Sequence, residues 1–262
     1  MSQPFLSLRD VDVSYGPVAA LRGVSFDLLP GQVLAIVGDN GAGKSTIVKV
    51  ISGLYAPQRG VLEVEGKAQP TWDPHRSRQA GIETVYQDFA LVADLNVWRN
   101  FFLGNEIYRK VGPVHILKKH EMRRLCRTGL DAIGLPARLG VETGSQVLSG
   151  GERQSLAIAR ALYFGKKALL LDEPVASLAV REAQRVFQSV RAAASAGLSV
   201  LYIDHNMVNV HSIADRIVVL RGGEVVASIA QDSVTLADLV ELVEAQAEPR
   251  VARPQDDSRI RD

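Results

Sequence analysis

Two glycine-rich segments, far apart in the chain, carry the residue types that handle phosphate. The first is Gly38-Asp39-Asn40-Gly41-Ala42-Gly43-Lys44-Ser45-Thr46. Glycines at 38, 41 and 43 let the backbone curl until successive N–H groups face inward, forming an anion nest at a helix N-terminus. Lys44 brings a point charge for β- and γ-phosphates, and the Ser45 hydroxyl suits a Mg²⁺ ligand. The second is Leu148-Ser149-Gly150-Gly151-Glu152-Arg153-Gln154, where Ser149 reads as a helix N-cap and Gly150-Gly151 as bare backbone at the helix start. One phosphate needs only one such loop. A chain with two is therefore built to share a nucleoside triphosphate with a second copy.

Acidic residues complete the set. Asp172-Glu173 follows the apolar run Ala168-Leu169-Leu170-Leu171. At a strand end Asp172 can hold Mg²⁺ through water, while Glu173 is placed to polarise an attacking water.

Elements of the right kind surround these residues. Val33–Val37 reads as a buried strand before a helix from about Gly43 to Ile51, and Ala168–Leu171 as one before a helix over Val180–Ala194. Ser199–Ile203 precedes a short helix over Met207–Ile213. That alternation predicts parallel strands with crossover helices. Val24–Leu28 and Val61–Glu65 alternate as half-exposed strands, with Pro30-Gly31 and Gly66-Lys67 as turns, so an antiparallel sheet is expected beside the parallel core. Between Gln87 and Phe164 no strand pattern is read. Lys118–Ile133 and Gly150–Tyr163 read as helices there, giving a helical lobe inserted at about 88–164. Its aromatic group, Phe89, Trp98, Phe101 and Phe102 with Leu91, is expected to form a docking surface. The arginine- and acid-rich stretch 247–262 reads as a disordered tail after a domain of 1–246.

Composition narrows the class. Lys+Arg 30 against Asp+Glu 29 leaves a net charge of +1, so no excess of positive charge points to nucleic acid. The apolar runs fall short of the roughly 20 residues of a membrane span. A single cysteine, Cys126, and a start without a secretory signal fit a soluble protein of a reducing cytoplasm.

At these motifs the chain resembles the ATP-binding cassette (ABC) family, whose signature LSGGQ reads here Leu148-Ser149-Gly150-Gly151-Glu152. The resemblance implies an α/β P-loop NTPase of ABC type, with a mixed sheet core, an N-terminal antiparallel β subdomain and an inserted helical subdomain. It also implies ATP and Mg²⁺ as ligands. Tyr15 matches the residue that stacks on adenine, Gln87 the glutamine that ligates Mg²⁺, and His205 the switch histidine at the γ-phosphate. With Lys44, Glu173 completes the implied catalytic group. His75, His115, His120 and His211 have no such match. Ala179 departs from the pattern, standing where the family usually has Asp, a departure shared by sugar-importing relatives.

Gly81–Gln87 and His205-Asn206-Met207 further resemble the ATPases of bacterial monosaccharide importers, in the single-cassette form. That implies a dimer of identical copies on the cytoplasmic side of the inner membrane. Transmembrane permease subunits would be direct partners and a periplasmic substrate-binding protein an indirect one. Of three rival readings, a regulatory nucleotide-binding module that does not hydrolyse has only Ala179 in its favour, against Glu173 and His205. A soluble DNA- or ribosome-directed cassette is opposed by the lack of a heptad run between Thr46 and Leu148 and by the near-neutral charge. An importer of a non-sugar substrate stays open at this point.

Overall fold

The computed structural model describes residues 3–86, 91–135 and 139–244. Two long strands, β1 (Leu6–Tyr15) and β2 (Val18–Leu28), open the chain and pair antiparallel. The Pro30-Gly31 turn does not join paired strands; it passes the chain from β2 into β3 (Val33–Val37) of a different sheet, which leads to α1 (Lys44–Ile51). Next, β4 (Arg59–Val64) and β5 (Lys67–Ala68) return to the first sheet, making it antiparallel in the order β2-β1-β4-β5. After α2 (Pro74–Gln79) comes β6 (Ile82–Val85), and then the helical lobe begins.

That lobe contains α3 (Val97–Phe102), the strands β7 (Tyr108–Val111) and β8 (Val114–Leu117), α4 (Lys119–Ala132) and α5 (Gly150–Phe164). The remaining elements are β9 (Ala168–Asp172), α6 (Val180–Ser195), β10 (Ser199–Ile203), α7 (Met207–Ile213), β11 (Arg216–Arg221), β12 (Glu224–Ala230) and α8 (Leu236–Glu244). The main sheet runs β12-β11-β3-β10-β9-β6, parallel except for β12.

Every residue of β3, β9 and β10 is buried, because both faces of the parallel sheet are covered. Alternation divides their side chains between two cores. Leu34, Ile36, Leu170 and Leu201 pack with the antiparallel sheet and α1. Val33, Ala35, Leu169 and Val200 pack on the other face, where α6 presents Val186, Val190 and Ala194 at helical spacing. Each fully buried Leu, Ile or Val contributes about 1.5–3 kcal/mol of transfer free energy, so the strand ends that carry the site are held rigidly.

Two expectations for the helical lobe are corrected. It does contain strands: β7 and β8 form a hairpin through the turn Gly112-Pro113. Each strand is only four residues long and carries basic side chains, too short a span to show a period of two. The aromatic group is also not a docking surface. Trp98, Phe101 and Phe102 are at most 2% exposed and form the lobe's own core with Met122, Leu130 and Leu156. The six-residue α3 is apolar nearly all round and must bury itself between α4 and α5. Leu91 packs against that core and Phe89 lies outside the described residues.

Candidate functional site

The phosphate loop joins the end of β3 to α1, and its glycines are required by space as well as by conformation. Gly38 has φ +150, and a Cβ there would run into the backbone carbonyl of Leu220 on β11. Gly43 has φ +106, and a Cβ would lie 2.5 Å from the Ala20 carbonyl oxygen. Held this way, the N–H groups of Gly41, Gly43, Lys44 and Ser45 have no hydrogen-bond partner among the described residues. Ala42 donates to the Asp39 carbonyl at 3.1 Å, and Thr46 to that of Gly43 at 3.0 Å. Asn40 lines the crevice above the loop.

Lys44 is 8% exposed, and its Nζ donates to the carbonyls of Gly38 (2.7 Å) and Asp39 (2.9 Å). Burial lowers its pKa below the ordinary lysine value, opposed by the charges of Glu173, Asp172 and Asp39. The ammonium thus rests on two carbonyl oxygens that phosphate oxygens can replace.

Asp172 ends β9, 7% exposed, with no ion pair among the described residues. Burial raises its pKa; the Ser45 hydroxyl opposes this through a hydrogen bond, Glu173 adds to it, and Lys44 and Lys49 oppose it. An exposed hydroxyl beside a buried carboxylate, both hard oxygens, fits a divalent cation, which would offset the cost of the buried carboxylate. No three His, Cys, Asp or Glu side chains cluster among the described residues to hold a metal unaided. Mg²⁺ typically takes one or two carboxylates and completes its shell with substrate phosphates and water.

Glu173 adopts φ +50, unusual for a residue with a side chain. Two hydrogen bonds to neighbouring elements hold it there. Its N–H donates to the Ile203 carbonyl at 2.9 Å, and its carbonyl accepts from Gln154 Nε2 at 3.0 Å. Its carboxylate Oε1 lies 3.2 Å from Nδ1 of His205, and both side chains line the crevice with Gly38 and Asn40. The turn bearing His205 is built on buried Asp204, which accepts from Tyr202 Oη (2.6 Å), Asn209 Nδ2 (3.0 Å) and the Asn206 N–H (3.0 Å). Burial and the Asp204 charge push the Tyr202 phenol's pKa up.

The second loop is a capped helix start. The Ser149 hydroxyl oxygen accepts the Glu152 N–H at 3.2 Å, and Glu152 Oε2 accepts the Ser149 N–H at 2.9 Å. The N–H groups of Gly150 and Gly151 are left without partners among the described residues. These two glycines abut Ser177, in the loop after Glu173, and do not line the crevice at the phosphate loop.

The structure therefore gathers Gly38, Asn40, Lys44, Ser45, Asp172, Glu173 and His205, and leaves Ser149, Gly150 and Gly151 apart from them. Tyr15 stands at the end of β1, 38% exposed, against the Tyr55 ring and 5.9 Å from Lys49 Nζ of α1. Gln87 lies outside the described residues, just beyond β6. Gln154 and Asp204 were not singled out for a role. Gln154 is 1% exposed, and besides holding Glu173 its Oε1 accepts the Ser177 N–H at 2.9 Å. Its place inside the signature segment was the available signal.

A phosphate loop between β3 and α1, with an acid pair at the end of β9, defines a P-loop nucleotide-binding cassette. The chain belongs to the ABC transporter family, whose profile matches residues 21–176. It is 41% identical to the xylose/arabinose import ATP-binding protein XylG of Sulfolobus acidocaldarius, over 91% of this chain and 93% of that one. It is also 41% identical to the fructose import ATP-binding protein FrcA of Rhizobium meliloti, over 94% of this chain and 96% of that one. Against the ribose import ATP-binding protein RbsA 2 of Escherichia coli O157:H7 it is 34% identical and spans 47% of that longer protein. Among solved structures, a nucleotide-free ATP-binding cassette from an ABC transporter superposes with a TM-score of 0.76 at 25% identity, covering 90% of this chain and 96% of that one. The dimeric cassette MJ0796 does so with a TM-score of 0.76 at 25% identity, covering 86% and 98%.

Proposed function

We propose that this chain is the ATP-hydrolysing subunit of a monosaccharide importer, working as a pair of identical copies that drives a membrane permease. One observation carries the shared-nucleotide part of this reading. The free N–H groups of Gly150 and Gly151 abut Ser177 instead of their own phosphate loop, so a phosphate held by Lys44 meets them only if a second copy supplies them. The names of the relatives, all sugar-import ATP-binding proteins, support the transport part.

In this reading the N–H groups of residues 41 and 43–45 cradle the phosphates, and Lys44 exchanges its two carbonyls for phosphate oxygens. Tyr15 offers its exposed ring to adenine. Ser45 and Asp172, with Gln87, would hold Mg²⁺, which when bound would supply neutralisation of phosphate charge. The Glu173 carboxylate orients water for in-line attack, and His205 stands beside it toward the γ-phosphate. Ser149, Gly150 and Gly151 of the other copy cover the far side of that phosphate. Once it is cleaved the contact between copies is lost and they separate, a ligand-gated opening that a permease can use. No helix among the described residues is long and apolar enough to cross a membrane. The translocation path then belongs to permease subunits, fed by a periplasmic binding protein, with this chain on the cytoplasmic face.

The test combines a Lys44→Ala variant with uptake. Nucleotide titration should show at least about a tenfold loss of affinity, since a charged hydrogen-bonding group contributes about 1.5–3 kcal/mol. Cells lacking the chain should lose accumulation of one labelled monosaccharide. Unchanged nucleotide affinity, or unchanged uptake of every monosaccharide tried, contradicts the proposal.

A further inference from the structure

The nucleotide site makes no use of the hairpin β7–β8. Every residue from 108 to 116 is exposed, so the hairpin stands clear of the helical lobe. The pairs Val111↔Val114 and Arg109↔Ile116 place Val111, Val114 and Ile116 on one face. Leu117 and Tyr108 lie on the other, with Leu117 packed on the lobe core, so the valine–isoleucine face looks away from the protein. Those three side chains are 50%, 57% and 40% exposed. Gly112, φ +59, allows the tight turn that brings them to a tip.

Cations collect beside this tip. Residues 108–128 hold seven Lys or Arg against one acid, Glu121, in a chain with Lys+Arg 30 and Asp+Glu 29 overall. Arg109, Lys110, Lys119 and Arg124 make no ion pair among the described residues. Lys119 and His120 sit in the first turn of α4, where the helix dipole disfavours positive charge, and Lys118 at its N-cap gives no side-chain cap. Helix stability therefore does not explain these charges.

We propose that the hairpin β7–β8 and the first turn of α4 dock on an anionic phospholipid surface, with Val111, Val114 and Ile116 among the headgroups and the basic side chains on their phosphates. An apolar tip flanked by basic residues is the chemistry of an interfacial anchor. Three aliphatic side chains offer far less than the roughly 800 Å² per partner of a stable protein interface, and the surplus charge has one sign. Both observations favour a bilayer over a second protein. The proposal stands apart from the reading of ATP hydrolysis, and its test does not depend on turnover.

The experiment is flotation of the full chain with vesicles of phosphatidylcholine, alone or mixed with phosphatidylglycerol. The wild type should float only with the anionic vesicles and be released by salt. Each Lys or Arg near such a surface contributes about fivefold in partitioning, so R109Q/K110Q should lose about 25-fold. Val114→Asp should also detach, and solution ATPase activity should stay at the wild-type level in both variants, showing that they fold. Wild-type protein that ignores anionic vesicles, or a double variant that floats as well as the wild type, overturns the proposal. So does a result in which the variants keep vesicle binding and lose only assembly with permease subunits.

Discussion

Replacing Gln154 by Leu tests how the Glu173 carboxylate is aimed. The substitution keeps roughly the buried volume and deletes two hydrogen bonds, to the Glu173 carbonyl at 3.0 Å and from the Ser177 N–H at 2.9 Å. Ser177 is exposed, so water can replace its partner; the Glu173 carbonyl keeps only the long 3.5 Å bond from the Ala176 N–H, a cost of about 1–3 kcal/mol. A left-handed backbone at a residue with a side chain costs about 1–3 kcal/mol, and the Gln154 bond is one of two from other elements that hold Glu173 there. If relaxing that strain moves the carboxylate, the productive population falls by about five- to 150-fold. With the Ile203 bond retained, the lower end, about tenfold in kcat, is expected. Gln154 makes no side-chain hydrogen bond to the phosphate loop among the described residues, so KM for ATP should stay within about twofold. Steady-state ATPase kinetics give both constants, and circular dichroism checks the fold. A folded Q154L enzyme with wild-type kcat, or one changed in KM alone, would refute the idea that this amide positions Glu173.

Two further outcomes follow from packing. Gly38→Ala pushes a methyl group into the Leu220 carbonyl, which belongs to the six-stranded sheet and cannot retreat. Overpacking of this kind costs about 1–3 kcal/mol, and thermal melting should drop accordingly, with nucleotide affinity lost as the loop distorts. Cys126 is fully buried, and burial pushes its thiol pKa up to about 12. Native protein between neutral pH and pH 9 should therefore resist a thiol reagent that labels it at once in denaturant; rapid native labelling contradicts the packing of α4.

Much of the architecture was legible because local patterns and tertiary demands agree. Val33–Val37 and Ala168–Leu171 are runs that only a doubly covered strand needs, and the helices over 44–51, 180–195 and 207–213 begin and end close to where their periodicity does. The hairpin β7–β8 was missed because four-residue strands, exposed everywhere but at Leu117, carry almost no burial pattern. Trp98, Phe101 and Phe102 misled for the opposite reason. Aromatics on a short helix look available for docking until the neighbouring helices are seen to cover them. At the site, the loop and its acids announced themselves by spacing. The supports for Glu173 and His205 did not, because a buried Gln154 or Asp204 reads in sequence like any solvated polar residue, and its partners are 19 residues away or across a turn.

The account rests on nucleotide joining two copies across the Lys44 and Gly150-Gly151 surfaces. Light scattering of Glu173→Gln saturated with ATP and Mg²⁺ tests this most directly, since the variant should bind nucleotide and stall before cleavage. The predicted result is a particle of twice the 28.4 kDa chain mass, returning to 28.4 kDa when nucleotide is removed. A Glu173→Gln protein that binds ATP and Mg²⁺ yet stays at 28.4 kDa contradicts it.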